Sequence, residues 1–262
     1  MTVNGAALPD MPVLELASMT WEEAQRLGPG AVAILPVGAI EAHGPHLPLA
    51  TDVIIAEAMA RRGAERLAAR GMEVLILPAV SYSFAGFAAG FPGTVSVDAA
   101  RLPGLLRDIG LNLARLRVAA LAVANAHLDP GHLEALRCAV RDWRGTAVRL
   151  VFPDLTQRAW GSRLTPEFKS GACHAGQFET SVVLAVRPDL VRRDRMDRLS
   201  SNPVSLATAI RGGKQSFEEA GGPAAYFGDP AAATPEEGRA TIEVLGGILE
   251  DAVLAALKAS TP

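Results

Sequence analysis

The sequence predicts an α/β protein built on a mainly parallel β-sheet. Four short apolar runs alternate along the chain with segments whose apolar residues recur at helical spacing, and this alternation is typical of βαβ units. The chain has 262 residues, of which 49% are hydrophobic and 20% charged, so it is long enough to bury a large core. It shows no internal repeat and no convincing linker, and we expect a single domain over residues 1–262.

The predicted elements follow in chain order. Thr20 and Glu23 form a capping-box pattern that opens a first helix. The apolar runs predict buried strands over 31–38, 72–80, 118–126 and 147–154. Helical spacing predicts helices over 52–70, 98–116, 131–143 and 234–260. The stretch 199–235 is rich in Gly, Pro, Ser and Ala, and we expect surface loops there.

The composition disfavours several function classes. A formal net charge of −3 provides no basic field for nucleic acid or for an anionic membrane surface. No apolar run approaches the roughly 18 residues of a membrane span, and the first 16 residues lack the positive start of a signal peptide. Two cysteines cannot make a disulfide framework. We therefore expect a cytoplasmic protein whose partner is a small-molecule substrate, with no nucleic-acid or membrane partner.

The histidines are unevenly distributed. The chain has five, and all of them fall in three short polar clusters, at His43 and His46, at His127 and His132, and at His174. The first two clusters directly follow predicted strands. Because sites in open α/β sheets form outside the carboxyl ends of strands, we expect these two clusters to share one crevice.

The first cluster combines carboxylates with imidazoles. Glu41, His43, His46 and Asp52 lie within twelve residues, and this mixture of oxygen and nitrogen donors suits Zn²⁺ or Mn²⁺. Glu41 and His43 are two residues apart on extended chain, so their side chains would point the same way. An ordinary alternative is that Asp52 only caps the helix that follows.

The second cluster offers His127 and Asp129 at a strand end. Both side chains could face the crevice, but Asp129 followed by Pro130 could also be a plain turn that opens the next helix. His132 lies near the start of that helix, where a capping or surface role is the ordinary explanation. The cluster therefore offers His127 and Asp129 as candidates and disfavours His132 as a ligand.

The third cluster contains Cys173, His174 and Glu179. The apolar run after it indicates that this segment enters the core, where a carboxylate needs a partner. That partner could be a metal ion or, alternatively, a buried arginine. Cys173 is a poor candidate nucleophile because its neighbouring histidine would face elsewhere. The absence of Walker A, GxGxxG and GxSxG motifs disfavours nucleotide-dependent and serine-hydrolase chemistry.

These motifs together resemble those of the creatininase (creatinine amidohydrolase) family. The resemblance begins with the run 41–48, Glu-Ala-His-Gly-Pro-His-Leu-Pro, followed by Asp52. It continues at Phe-Pro-Gly-Thr 91–94, at Asn125-x-His127, at His174-Ala-Gly-x-x-Glu179, and at Gly-Asp-Pro 228–230 with the segment 233–238. The matching segments occur in the family's order over about residues 30–240.

The resemblance implies a three-layer α/β/α sandwich, a homo-oligomer that is often a hexamer, and two adjacent divalent metal ions per chain, Zn and/or Mn with Fe as a further option. Carried over by position, Glu41 and His127 would bind one ion, and His43 and Glu179 the other. Asp52 would bridge the two ions, and His174 would be the acid/base that shuttles a proton.

Two departures from the family concern the substrate. Asp129 stands where creatininases carry a Glu near the water of the second metal, so a catalytic role with shorter reach is expected for it. Ser170 and Gly171 replace a Trp-Asp pair that packs on the creatinine ring. The resemblance therefore implies a substrate other than creatinine.

We expect a binuclear metal-dependent amidohydrolase that cleaves the C–N bond of a small cyclic amide or a formamide, a non-peptide bond. One alternative is a catalytically silent, metal-stabilised oligomeric subunit, and another is a peptidase-like member acting on a modified peptide. Loops 82–90 and 155–171 should line an apolar pocket short of charge, which favours a neutral or weakly polar substrate. His46 is expected to support the ligands or to face the substrate.

Overall fold

The computed structural model describes residues 11–259 of the chain. The N-terminal segment on which the signal-peptide prediction depends therefore lies largely outside the described residues. The same is true of residue 260, the predicted end of the last helix.

The centre of the fold is a five-stranded sheet in which every pairing is parallel. Its strands are β1 (Val13–Glu15), β2 (Val32–Val37), β3 (Val74–Ile76), β4 (Ala120–Asn125) and β5 (Arg149–Val151). Their order across the sheet is β1-β3-β2-β4-β5. The central pair, β2 and β4, is in register over six residues, from Val32 opposite Ala120 to Val37 opposite Asn125. The parallel sheet predicted from the sequence is confirmed.

Ten α-helices of the described chain surround or extend this sheet. The long ones are α2 (Thr51–Ala68), α3 (Arg101–Arg115), α4 (Pro130–Arg141), α7 (Gln177–Val186) and α10 (Pro235–Lys258). The short ones are α1 (Trp21–Gln25), α5 (Arg158–Gly161), α6 (Pro166–Ser170), α8 (Arg193–Met196) and α9 (Leu206–Arg211). None of the described helices is both long and apolar enough to cross a membrane.

The predicted elements are present, with differences at their ends. All four predicted strands form, although β3 and β5 keep only three residues each, and the edge strand β1 was not predicted. The capping box of Thr20 and Glu23 opens α1 as expected. The loop prediction for 199–235 is wrong over Leu206–Arg211, where α9 forms with Ser205 as its N-cap.

Alternate residues of the strands pack against different helix layers. On β2, Val32 and Ile34 belong to a core formed with α2, α7 and α10. The intervening Ala33, Leu35 and Val37 belong to a second core formed with α3 and α4. Because successive side chains of a strand point to opposite faces, this division defines two helix layers with the sheet between them. The fold is the expected three-layer α/β/α sandwich.

Candidate metal centre and active-site cavity

Five buried polar side chains meet beyond the carboxyl ends of β2 and β4. Glu41 and His43 lie on the loop that leaves β2, and Asp52 lies in the first turn of α2. His127 follows β4 by two residues, and Glu179 lies in the first turn of α7. All five are no more than 3% exposed. These are the five metal ligands proposed from the sequence, and the fold brings them together.

The carboxylate of Asp52 lies beside two histidines and does not cap its own helix. The N-cap of α2 is Ala50, which makes no side-chain cap, so the alternative that Asp52 caps this helix is wrong. Gly38, just after β2, lies so close to α2 that a Cβ there would be 2.6 Å from the Val53 nitrogen. Glycine thus lets the end of β2 pack directly on the turn that carries Asp52.

The distances divide the cluster into two groups that share Asp52. His43 Nε2 lies 3.3 Å from Asp52 Oδ1 and 3.5 Å from Glu179 Oε2. His127 Nδ1 lies 3.0 Å from Asp52 Oδ2 and 3.2 Å from Glu41 Oε1. Each group of one imidazole and two carboxylates is compact enough to hold a metal ion. The two oxygens of Asp52 face one group each.

Hydrogen bonds to carbonyl groups set the tautomers of both histidines. His43 Nδ1 donates to the Glu41 carbonyl over 3.1 Å, and His127 Nε2 donates to the Phe84 carbonyl over 2.7 Å. Because a carbonyl can only accept, the ring nitrogen that faces the carboxylates carries a lone pair when each histidine is neutral. Metal-binding histidines are commonly oriented in this way.

Several inward-facing atoms of the cluster lack a hydrogen-bond partner among the described residues. They are Glu41 Oε2, His43 Nε2 and Asp52 Oδ2, all buried. Buried polar atoms without partners are costly and require an explanation. Divalent ions fit here because the unpaired atoms are the nitrogen and oxygen donors that Zn²⁺ and Mn²⁺ accept.

The electrostatics of the protein alone show how strongly the cluster favours positive charge. Burial by itself would lower the pKa of His43, but Asp52, Glu179 and Glu41 raise that pKa to about 10. Burial would also lower the pKa of His127, but the carboxylates of Glu41 and Asp52 raise that pKa well above its ordinary value. Burial raises the pKa of Glu179 to about 8. Cations placed among these groups would compensate their buried charge.

Glu179 pairs with a histidine and a backbone amide, and the alternative of a buried Glu–Arg pair is wrong. Its Oε2 accepts the N–H of Ala175 over 2.6 Å in addition to facing His43. Ala175 holds a positive φ of 51°, a conformation that is uncommon outside glycine. This turn brings its N–H to the carboxylate and follows directly on His174.

His174 lies beside the cluster with one nitrogen directed towards it. Its Nε2 donates to the Ala42 carbonyl over 2.9 Å, so Nδ1, 3.9 Å from Glu41 Oε1, carries the lone pair. The ring stacks on Phe217 with centroids 4.1 Å apart, and it contacts the His43 ring at 4.3 Å. Burial, reinforced by the charge of His43, lowers the pKa of His174 well below its ordinary value. A neutral base next to the candidate metal centre results.

Asp129 lies in the same region but outside the cluster of ligands. It is the N-cap of α4, with Oδ1 accepting the Gly131 N–H over 2.8 Å and Oδ2 accepting the Phe87 N–H over 3.1 Å. The helix-opening turn considered for this residue is therefore present. Its carboxylate also lines the cavity described below, and its predicted catalytic role stays a prediction.

The two remaining histidines are buried supports. His132 donates from Nε2 to Asn125 Oδ1 over 2.8 Å, and its Nδ1 is hydrogen-bonded to the Ser83 hydroxyl. The expectation of a surface or capping role for His132 is therefore wrong, because the side chain is fully buried. His46 is bonded through Nε2 to Thr180 Oγ1 over 2.9 Å, on the helix that carries Glu179. Sequence reasoning missed Asn125 and Ser83 as partners of His132, because only the fold brings these side chains together.

A cavity of about 420 Å³ opens above the cluster. Its floor includes four of the five candidate ligands and His174, and its walls are largely apolar. The wall residues are Phe87, Leu128, Leu155, Phe168, Leu206, Ile210 and Phe217. The segment 155–171 lines the cavity as expected, whereas in the segment 82–90 only Phe87 does.

The expectation that this lining is short of charge is wrong. Arg158, Lys169 and Arg211 all line the cavity. Cys173 lines it too, but burial raises the pKa of its thiol to about 12, so it is not a thiolate nucleophile at neutral pH.

The parallel sheet and the buried imidazole–carboxylate cluster at its carboxyl edge define an α/β protein with a candidate metal centre. Residues 17–253 match the family model described as Creatininase, creatinine amidohydrolase. The chain belongs to the creatininase family of hydrolases, as its motifs indicate.

Two curated relatives and one solved structure illustrate this membership. The chain is 35% identical to the mycofactocin precursor peptide peptidase of Mycobacterium ulcerans (strain Agy99), over 87% of this chain and 86% of the relative. It is 34% identical to the creatinine amidohydrolase of Pseudomonas putida, over 69% of this chain and 75% of the relative. A structure titled "Creatininase Mn" superposes with a TM-score of 0.71 at 28% identity, covering 93% of this chain and 98% of that one.

Proposed function

We propose that the chain is a metal-dependent amidohydrolase that cleaves a C–N bond of a small amide, with two divalent ions per chain. The observation that carries the proposal is the shared carboxylate: Asp52 directs one oxygen to His43 and the other to His127. A carboxylate in this arrangement suits two neighbouring ions. Zn²⁺ and Mn²⁺ are the candidates that the donor set favours, with Fe²⁺ as a further option.

The roles of the ligands follow from the two groups. Glu41 and His127 would hold one ion and His43 and Glu179 the other, with Asp52 common to both. Two ions in such a site supply Lewis acidity to the amide carbonyl and lower the pKa of water towards neutrality. When His43 and His127 are neutral, as metal binding requires, the N–H that each donates to a carbonyl leaves the lone pair on the inward nitrogen.

His174 moves the proton. Its Nδ1 is unprotonated at neutral pH and faces the floor of the cavity, so it can take a proton from the attacking water. The same atom can then give that proton to the departing nitrogen, which must be protonated to leave as an amine. Phe217 stacks on the ring, and the bond to the Ala42 carbonyl fixes its tautomer.

Creatinine itself is a poor match for this cavity. Ser170 is exposed and donates its hydroxyl to the Glu167 carbonyl, while Gly171 ends α6 in the left-handed conformation with φ 82°. Neither position supplies an aromatic wall. A lactam, imide, cyclic urea or formamide with an apolar part fits the remaining walls better.

Cleavage of a peptide is the second candidate. It is supported by the name of the Mycobacterium ulcerans relative, a precursor peptide peptidase, which the chain matches over most of its length. The exposed residues Thr156, Gln157 and Ser162 also line the cavity, and a chain longer than the cavity could leave past them.

A hydrolysis screen tests the proposal. Purified protein loaded with Mn²⁺ or Zn²⁺ is offered small lactams, cyclic ureas, imides and formamides, and short peptides in parallel. We expect turnover of at least one small amide that disappears in His127→Ala. Turnover of peptides alone would replace the proposal with the second candidate. Full metal content without turnover of either class would favour the silent, metal-stabilised subunit.

A further inference from the structure

Three cationic side chains surround the mouth of the active-site cavity. Arg158 begins α5, Lys169 lies in α6 and Arg211 ends α9, and all three are exposed residues that line the cavity. They come from three separate short helices. We call these three residues the cationic rim.

The rim is not neutralised by nearby acids. Within residues 11–259, the side chains of Arg158 and Lys169 form no hydrogen bond or ion pair, and Arg211 donates only to the neutral Thr208 hydroxyl over 2.9 Å. By contrast, Arg163, close to Arg158 in the chain, is paired with Asp251 at 2.8 Å. The rim charges therefore remain available to a ligand.

The acids of the cavity lie at its floor. In the described part of the chain the lining carboxylates are Glu41, Asp52, Asp129 and Glu179. Glu41, Asp52 and Glu179 belong to the candidate metal centre, and Asp129 is occupied by two backbone N–H groups. The apolar lining residues Leu155, Phe168 and Leu206 are buried, whereas the three rim residues are exposed. The cavity therefore combines buried reacting groups and a buried apolar lining with positive charge on its exposed lining.

We propose that the cavity selects amides that carry a carboxylate, with the scissile bond on the floor, an apolar body along the wall and the carboxylate at the cationic rim. This inference rests on the proposed amidohydrolase function. Guanidinium and ammonium groups bind carboxylates through charge-assisted hydrogen bonds. Such a carboxylate could belong to a small N-acyl amino acid or to the C-terminus of a peptide, and both present the same chemistry to the rim.

Matched ligand pairs test the rim. N-formyl-L-phenylalanine is compared with N-formyl-L-phenylalaninamide on Mn²⁺-loaded protein, by calorimetric binding and by turnover. With two or three charge-assisted contacts, we expect the carboxylate to bind about tenfold more tightly than the amide. In the triple variant Arg158→Gln/Lys169→Gln/Arg211→Gln, which removes all three charges of the rim, that ratio should fall to about one, mainly through KM. Arg144→Gln removes a charge from an exposed residue that does not line the cavity, and it should leave the ratio unchanged.

The outcomes separate this proposal from the proposed function. Equal binding of the two ligands, or a preference that survives in the triple variant, overturns the cationic rim even if both ligands are hydrolysed. A binding preference that the triple variant abolishes supports the rim even if neither ligand is turned over. In that case only the proposed small-amide hydrolysis fails. A tetrapeptide with a free or amidated C-terminus then tells whether the carboxylate is that of a peptide.

Discussion

The segment from the end of β2 into the first turn of α2 and the segment from the end of β4 into the first turn of α4 carry the same polar residue types but contribute in different ways. Each follows a central parallel strand and contains two histidines and an aspartate near the start of its helix. The first segment supplies three of the five candidate ligands, Glu41, His43 and Asp52. The second supplies only His127, and its Asp129 and His132 support the structure around it.

The difference arises from where each aspartate lies relative to the start of its helix. Asp129 is the N-cap of α4, so its oxygen accepts an N–H of its own first turn. Asp52 lies two residues after the N-cap Ala50, and its side chain reaches the histidines instead. A shift of two residues thus separates a candidate bridging ligand from a helix cap.

The largest expected effect comes from changing these two aspartates in parallel. Asp52→Asn removes the shared carboxylate charge, and we expect hydrolysis to fall on the order of 10⁴-fold because the ions that activate water are lost. Asp129→Asn keeps an oxygen for the cap but loses the acceptor of the Phe87 N–H. Metal should therefore be retained, and the free energy of unfolding should fall by about 1 kcal/mol. Activity assays, elemental analysis and urea titration measure the two variants together.

The outcome at Asp129 also decides its predicted catalytic role. A fall in kcat with full metal content would support that role. If Asp129→Asn instead lost metal as Asp52→Asn does, the contrast between the two loops would be wrong.

His174→Gln should separate catalysis from metal binding. We expect both ions to stay and kcat to fall about 10²-fold, because only the proton transfer is lost. Burial lowers the pKa of His174, so its active, neutral form persists at pH 7 and is lost only as the pH falls below about 6.5. The acid limb of kcat/KM should therefore lie below that pH in the wild type and be absent from the variant. An unchanged kcat would remove His174 from the mechanism.

His132→Ala should have the smallest effect on turnover and a clear effect on stability. It leaves the buried Asn125 Oδ1 and Ser83 hydroxyl without their partner, which should lower the free energy of unfolding by about 2–3 kcal/mol. Because Asn125 also donates to the His127 carbonyl over 2.7 Å, metal affinity should weaken by about tenfold. Asn112→Ala, on the exposed face of α3, is the control. Equal stability of the two variants in chemical denaturation would show that the network contributes nothing.

Much of the architecture and of the ligand set could be predicted because both depend on local patterns. Apolar runs mark β2 and β4, and polar residues just past strand ends must lie at one edge of a parallel sheet. The environment of His132 could not be predicted, because Ser83 lies 49 residues away and meets it only after folding. Two members of the cationic rim, Arg158 and Lys169, lie in the segment 155–171, which was expected to line the cavity but was interpreted as short of charge. The third, Arg211, lies in α9, in a stretch whose composition indicated loops.

The central claim is that Asp52 is shared between two adjacent ions. Native mass spectrometry of the Mn²⁺-loaded protein, before and after Asp52→Ala, tests it most directly by counting ions per chain. The arrangement of His43, His127 and the three carboxylates predicts two ions in the wild type and a loss of at least one in the variant. A single ion in the wild type, or two ions retained after Asp52→Ala, would contradict the claim.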